Sequence, residues 1–305
     1  MRFGVDIGGT NVRVGLVDRA GNIVDHDVVR CSLYETAADL VLTIAYTILR
    51  LAKVNGVKAS GIGIGCPNAC PLDGTVENAT NLKFKQKFSL KELFHQYFPD
   101  IPVMVDNDAN AAALGEMVYG KGRGLSDYVF VTLGTGVGSG IVSGGKLVYG
   151  LNGQAGEIGH MIVEPDGRDC GCGRKGCLER YVAAEGAFQT YVELCKAAGH
   201  SPLANDCRGI SDLAQAGDAQ ACQTYEIMGR CLGMALANVA CVTAPSHIFV
   251  FGGVAQAGEL LLEPFRRHFN RNLLYCYRNQ IKIELSGLMS NQHNAAILGA
   301  AALLG

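Results

Sequence analysis

The chain has no run of basic residues and almost no excess charge of either sign. In 305 residues, 26 lysines and arginines stand against 28 aspartates and glutamates. A nucleic-acid surface needs a positive stripe to neutralise phosphates, so this balance argues against nucleic acid as the main partner. A long apolar span is also missing. The longest uncharged helical stretch, Cys231 to Ala244, is too short to cross a bilayer and reads as a buried helix ended by Pro245. No secretory leader precedes the first strand-like run, Phe3 to Ile7, which predicts a cytoplasmic protein with no membrane partner. Cysteine, by contrast, is plentiful. Twelve cysteines without export are expected to be reduced thiols. Cys222, Cys231 and Cys241 lie in apolar runs, where cysteine behaves as a small hydrophobe. Hydrophobic residues make up 49% of the chain, enough to core one large or two ordinary domains.

Three of the cysteines form a different pattern. G-E-I-G-H is followed, after a short gap, by C-G-C-G-R-K-G-C-L-E, which brings His160, Cys170, Cys172 and Cys177 close together in sequence. Three thiolates and an imidazole are the donor set of a tetrahedral zinc site. The intervening glycines let the backbone fold tightly enough for the sulfurs to converge. With all four ligands supplied by protein, no coordination position stays open, so the zinc is expected to be structural. Buried thiols and a disulfide are the competing readings; Cys170 and Cys172 are too near each other to bridge comfortably. Glu157 and Glu179 flank the cluster, and a metal pinning this loop would hold both carboxylates rigidly, as a polyol site requires.

The apolar pattern repeats. F-G-V-D-I, G-G-T-N, V-R-V-G-L-V, D-R-A-G-N and I-V-D-H-D-V-V predict a three-stranded meander over residues 3–30. Near residue 128, Y-V-F-V-T-L, G-T-G, V-G-S-G-I-V, S-G-G-K and L-V-Y-G predict a second one. Two halves that open alike point to an internal duplication. Elsewhere helix is expected over 36–54, 90–97, 109–118, 179–198, 211–216, 219–244, 258–271 and 294–304. Strands are expected over 59–66, 102–105, 247–251 and 281–285. This alternation gives an α/β class.

Each meander turns on glycines: Asp6-Ile-Gly-Gly-Thr-Asn11 in the first, Gly134-Thr-Gly-Val-Gly-Ser-Gly140 in the second. A third strand runs into Phe251-Gly-Gly-Val254. Glycine lets consecutive N–H groups approach an anion, so paired turns could grip a phosphate chain. Neither meander turn is a Walker A loop or a Rossmann fingerprint, because no G-K-[ST] follows and a strand rather than a helix comes next. Asp6 suits a water-mediated magnesium contact, or merely caps its turn. In V-M-V-D-N-D-A-N-A-A-A-L-G-E a strand gives way to a helix, with Asn107, Asp108 and Asn110 at the junction. Asp108 there could take a proton from a hydroxyl attacking a γ-phosphate, with Asp106 as the competitor and simple helix capping as the bland alternative.

With D-I-G-G-T-N, N-D-A-N-A-A-A-L-G-E, G-T-G-V-G-S-G, G-E-I-G-H and C-G-C-G-R-K-G-C-L-E in hand, the chain resembles the ROK (repressor, open reading frame, kinase) family of sugar kinases over nearly its whole length. The resemblance implies an actin-like ATPase fold, of the ribonuclease H-like type, with two duplicated lobes around an interlobe cleft. The lobes are expected at 1–115 plus 290–305 and at 116–289, the latter carrying the zinc-binding loop 157–179. It implies Asp108 as catalytic base, with sugar contacts from Asn81, Asn107, Asp108, Glu157, His160 and Glu179. ATP contacts are expected from Asp6, Gly8, Gly9, Thr10, Asn11, Gly134, Thr135, Gly136, Gly252 and Gly253. It also implies structural zinc on His160, Cys170, Cys172 and Cys177, with ATP and magnesium arriving with the substrate, and a homodimer or homotetramer. The expected reaction is phosphorylation of a hexose, glucose at its 6-hydroxyl first. Fructose, mannose, allose or an N-acetylhexosamine are the alternatives. A sugar-responsive repressor is disfavoured, since Asp6 leaves no room ahead of it for a DNA-binding domain. The chain departs from the family at Pro67-Asn68, at Phe251-Gly252-Gly253, and after Asn81-Leu82, where glucose-specific members often carry a tryptophan; this chain has none. These departures weaken the choice of sugar.

Overall fold

A computed structural model describes residues 1–79, 82–289 and 292–305. Asn81, an expected sugar contact, lies outside the described residues. The chain forms two compact units. The first comprises Met1–Leu125, Leu147–Ala155 and Gly287–Gly305, and the second Ser126–Lys146 and Gly156–Ser286.

In the first unit, β1 (Arg2–Ile7), β2 (Asn11–Val17) and β3 (Ile23–Arg30) form the antiparallel meander the sequence predicts. Parallel strands β4 (Ile62–Gly65) and β7 (Val103–Asp106) extend it in the order β3-β2-β1-β4-β7. Phe3, Val5 and Ile7 are buried, as expected of a strand covered on both faces. Helix α1 (Ala37–Val54) starts at Thr36, whose hydroxyl accepts from the Asp39 amide, and buries Leu40, Ile44, Ile48 and Leu51 along one stripe. Helix α2 (Leu90–His95) uses Ser89 and Glu92 in the same way. An antiparallel pair of two-residue strands, β5 (Thr75–Val76) with β6 (Phe88–Ser89), is too short to leave a sequence pattern. Helix α3 (Asp108–Tyr119) follows β7, and α9 (Gln292–Ala302) closes the unit. Gly4 and Gly63 let α9 lie directly on β1 and β4. A Cβ on either would strike the Ile297 or Ala300 carbonyl.

The second unit repeats the topology. Strands β8 (Tyr128–Leu133), β9 (Val137–Ser143) and β10 (Lys146–Leu147) make the second meander. With β11 (His247–Phe251) and β12 (Lys282–Leu285) parallel to β8, the order is β10-β9-β8-β11-β12. The shared order bears out the expected duplication. Helices α6 (Cys207–Gln215) and α8 (Glu259–Asn272) fall close to their expected places, the former starting earlier because Asp206 caps it.

Two expectations are corrected. The helix predicted over 179–198 is two helices, α4 (Glu179–Val182) and α5 (Ala184–Ala197), broken at an extended Ala183. The break lets the Ala184 amide donate to the Gly134 carbonyl, which pins the helices to the glycine turn after β8. The stretch read as too short to cross a membrane belongs to the 25-residue α7 (Ala219–Thr243), which by length and composition alone could cross one; 56% of its most apolar window is buried. Within it Glu226 bonds to Arg267 and His268, and Arg230 to Glu164. Ala244, in the left-handed region, and Pro245 stop it, as expected.

Candidate active site

The candidate residues of the first unit gather at the carboxyl ends of its parallel strands. Register pairs Asp6 with Gly65 and Gly65 with Asp106, so the two carboxylates stand level across β1, β4 and β7. Beyond β1 the turn Gly8–Thr10 closes with the Gly8 amide on the Asn11 carbonyl at 3.0 Å. Thr10 is exposed and Gly8 and Gly9 half-buried, so the turn's backbone is open to a ligand.

The two aspartates beside α3 have different surroundings. Asp106 is 1% exposed. It accepts from the Asn107 amide at 2.7 Å, Asn110 Nδ2 at 3.0 Å and the Tyr149 hydroxyl at 2.8 Å. Burial pushes its pKa up, and the Asn110 and Tyr149 bonds oppose the rise. Asn107 is the N-cap, its side chain accepting from the Ala109 amide at 2.9 Å. Asp108 is the first helical residue and exposed. Its neighbourhood is acidic. Burial and then the Asp108 charge raise Asp6 to about 6, against the pull of Arg13, whose Nη1 lies 3.2 Å from Asp6 Oδ2. The fully buried Cys66 thiol is likewise raised, by burial first and then by Asp108 and Asp6.

In the second unit, the glycine turn after β8 is tied to Glu179. The Val137 amide donates to Glu179 Oε2 at 3.0 Å, and a Cβ on Gly136 would come within 2.7 Å of that oxygen. Gly134 has open space where a side chain would go, as does Gly253. Gly252 follows β11 with φ of 108°, and a Cβ there would strike the Leu133 carbonyl. Because Phe251 pairs with Thr132, both glycine turns emerge at the same end of adjacent parallel strands. Exposed Glu157 precedes the 3₁₀ turn Ile158–His160. That turn packs on β9 so closely that a Cβ on Gly159 would strike the Val137 carbonyl. Glu179 and the turn bearing His160 therefore hang on one residue, Val137.

His160, Cys170, Cys172 and Cys177 converge as the sequence predicts. Their ligand atoms all lie within 4.8 Å of one another. His160 Nδ1 is 3.7 Å from Cys170 Sγ, and Cys172 Sγ is 3.6 Å from Cys177 Sγ. A tetrahedral zinc with bonds of about 2.3 Å to sulfur has sulfur–sulfur edges of about 3.8 Å, so the donor set fits the metal. The loop is a tight hairpin, with Asp169 bridging Lys175, and Gly173 and Gly176 at positive φ. Arg174 bonds hold the Cys172 thiol below the usual cysteine range, while burial raises Cys177.

Arg168, Arg13 and Tyr149 were not singled out in the sequence. Arg168 donates to the Arg180 and Gly186 carbonyls, Thr190 Oγ1 and Glu193, and lies 4.8 Å from the Tyr181 ring centroid. It fastens the cysteine hairpin to α4 and α5. None of the three belongs to a local motif; only Arg13, opposite Asp6 in a predicted hairpin, had a legible cross-strand position.

Two five-stranded mixed sheets of one topology, each with a glycine turn after its first strand, define an α/β protein of the actin-like fold. The sequence pattern of the ROK family matches residues 2–305, and the chain belongs to that family. It is 38% identical to a glucokinase of Halalkalibacterium halodurans, over 87% of this chain and 84% of that one. An N-acetylmannosamine kinase of Escherichia coli is 32% identical over 98% of this chain and 96% of its own length. A ROK glucokinase of Streptomyces griseus, solved with glucose and AMPPNP, superposes with a TM-score of 0.78 at 34% identity, covering 99% of this chain and 98% of that one.

Proposed function

We propose that this protein is an ATP-dependent hexose kinase that phosphorylates glucose at its 6-hydroxyl. The observation that carries this reading is the pair of unlike aspartates at the start of α3: Asp106 buried and fully bonded, Asp108 exposed and near enough to Asp6, at the end of β1, to raise its pKa. Asp108 takes the proton from the sugar hydroxyl as its oxygen attacks the γ-phosphorus. The bond from that phosphorus to the bridging oxygen breaks, and ADP leaves with the electron pair. The glycine turns that begin at Gly8 and Gly134, with the turn at Gly252 and Gly253, receive the phosphates and nucleotide because a glycine backbone lets an anion approach closely, and Asp6 would contact the magnesium that accompanies ATP. Asn107, Glu157 and Glu179 orient sugar hydroxyls. Glu179 spends Oε2 on Val137 and keeps its other oxygen for the substrate.

His160 presents Nδ1 to the sulfurs, which directs Nε2 to a sugar hydroxyl. Zinc, when bound by His160, Cys170, Cys172 and Cys177, supplies a rigid cross-link and no open coordination position. Ligating thiols must be reduced, which suits the cytoplasm.

Similarity to glucokinases at 38% identity favours glucose. Similarity to an N-acetylmannosamine kinase, together with the absence of tryptophan after Asn81-Leu82, makes an N-acetylhexosamine the second reading. A coupled ADP-release assay over hexoses and hexosamines decides between them. Glucose is expected to give the highest kcat/KM. A higher value for an N-acetylhexosamine overturns the choice of sugar, and transfer to no sugar overturns the kinase reading.

A further inference from the structure

The transfer mechanism gives Asp106 no proton to move, yet three donors converge on it. Oδ1 accepts from the Asn107 amide at 2.7 Å and from Asn110 Nδ2 at 3.0 Å. Oδ2 accepts from the Tyr149 hydroxyl at 2.8 Å, its one donor among the described residues. The first two donors are local to the junction of β7 and α3. The third arrives from 43 positions along the chain. Tyr149 lies in the segment Leu147–Ala155, which packs with the first unit although the residues on either side of it belong to the second. That segment is fastened there. The Ala155 amide donates to the Tyr149 carbonyl at 2.9 Å, Cys70 Sγ to the Asn152 carbonyl at 3.6 Å, and Gly153 packs against Pro71. The hydroxyl is thus delivered by an anchored loop.

An ionised carboxylate can accept on both oxygens, whereas a protonated one must commit an oxygen to its own proton. Without the tyrosine hydroxyl, Oδ2 becomes a buried acceptor with no partner. Proton uptake or rotation of the carboxylate relieves that state, and either disturbs the bonds from Asn107 and Asn110. Those bonds fix the backbone from which Asp108 projects. Misplacement of a reacting group by about 1 Å can cost roughly 100-fold in rate.

We propose that Tyr149 is a positioning residue for phosphoryl transfer: its hydroxyl locks the Asp106 carboxylate, which fixes the Asn107 backbone and so aims Asp108. The proposal rests on Asp108 being the base. Tyr149→Phe removes the hydroxyl and keeps the ring. It lowers kcat roughly tenfold or more, the size of a lost hydrogen bond to a charged group, and leaves the KM for ATP unchanged. In an Asp106→Asn background the same substitution costs nothing further, because the carboxylate it acts through is gone. A wild-type kcat in Tyr149→Phe, or an equal cost in both backgrounds, overturns the proposal. A second measurement needs no turnover: amide exchange at Asn107 and Ala109 to Ala111 is faster in Tyr149→Phe than in wild type. Unchanged exchange overturns the proposal even if the wild type phosphorylates no sugar. That last outcome strikes only the kinase reading.

Discussion

At the scale of single residues, the two aspartates flanking Asn107 differ only in where their side chains go. Asp106 ends β7 and is enclosed, while Asp108 opens α3 and is exposed. Asp108→Asn is therefore expected to lower kcat by about 10²–10⁴, the worth of a positioned base, while ATP and sugar still bind. Its melting temperature barely changes, because two effects oppose: the helix start loses a favourable negative charge, and Asp6 is relieved of a like charge. Asp106→Asn, by contrast, lowers the melting temperature, since an amide cannot accept from all three donors. Steady-state kinetics with thermal unfolding separate the two variants, and a near-normal kcat in folded Asp108→Asn ends the mechanism. Asp6 gives a pH prediction. Its folded value of about 6 lies above the usual 3.8, so the folded chain holds this proton more tightly than the unfolded one. The stability this brings is fully present below about 3.8 and is lost as pH rises through about 6. Denaturant midpoints should show Asp6→Asn gaining on wild type across that window. A constant difference would mean that Asp6 is not raised.

At the scale of elements, the cysteine hairpin is the clearest case of a segment whose fold and metal are linked. Its four donors already lie within 4.8 Å of one another, and Arg168 ties it to α4, whose first residue is Glu179. Purified protein should contain about one zinc per chain, bound by this set of four donors. Cys172 is exposed, so Cys172→Ser opens no cavity. Any loss of stability in that variant belongs to the metal, whose binding energy is also folding energy. Metal analysis and thermal unfolding should show zinc, melting temperature and sugar turnover falling together. A zinc-free variant with wild-type stability would detach the cluster from the fold.

For the whole molecule, duplication is the organising fact. Two sheets of identical order present glycine turns after β1 and β8, and in the proposed function sugar contacts come from groups of each unit: Asn107 and Asp108 in the first, Glu157, His160 and Glu179 in the second. A substrate that engages both sets should slow amide exchange at residues 107–110 and at 156–160 together. Hydrogen exchange at saturating glucose measures this. Protection of one segment alone would assign the sugar to a single unit.

The sequence by itself determined whatever rests on near neighbours. The meanders were legible because apolar runs and glycine turns follow one another directly, and α1 because Leu40, Ile44, Ile48 and Leu51 recur at helical spacing. The metal ligands were legible because all four fall in one short segment. The contrast between Asp106 and Asp108 followed from where a strand ends and a helix starts. Only the tertiary structure decided the rest. It decided that the helix after Glu179 breaks so that Ala184 can bond Gly134, and that Glu179 itself lies on Val137. It also brought Tyr149 onto Asp106 from 43 positions away. A hydrogen bond has a strict reach in space and none along the chain. Partners chosen by three-dimensional proximity leave no period, spacing or composition from which a sequence could announce them.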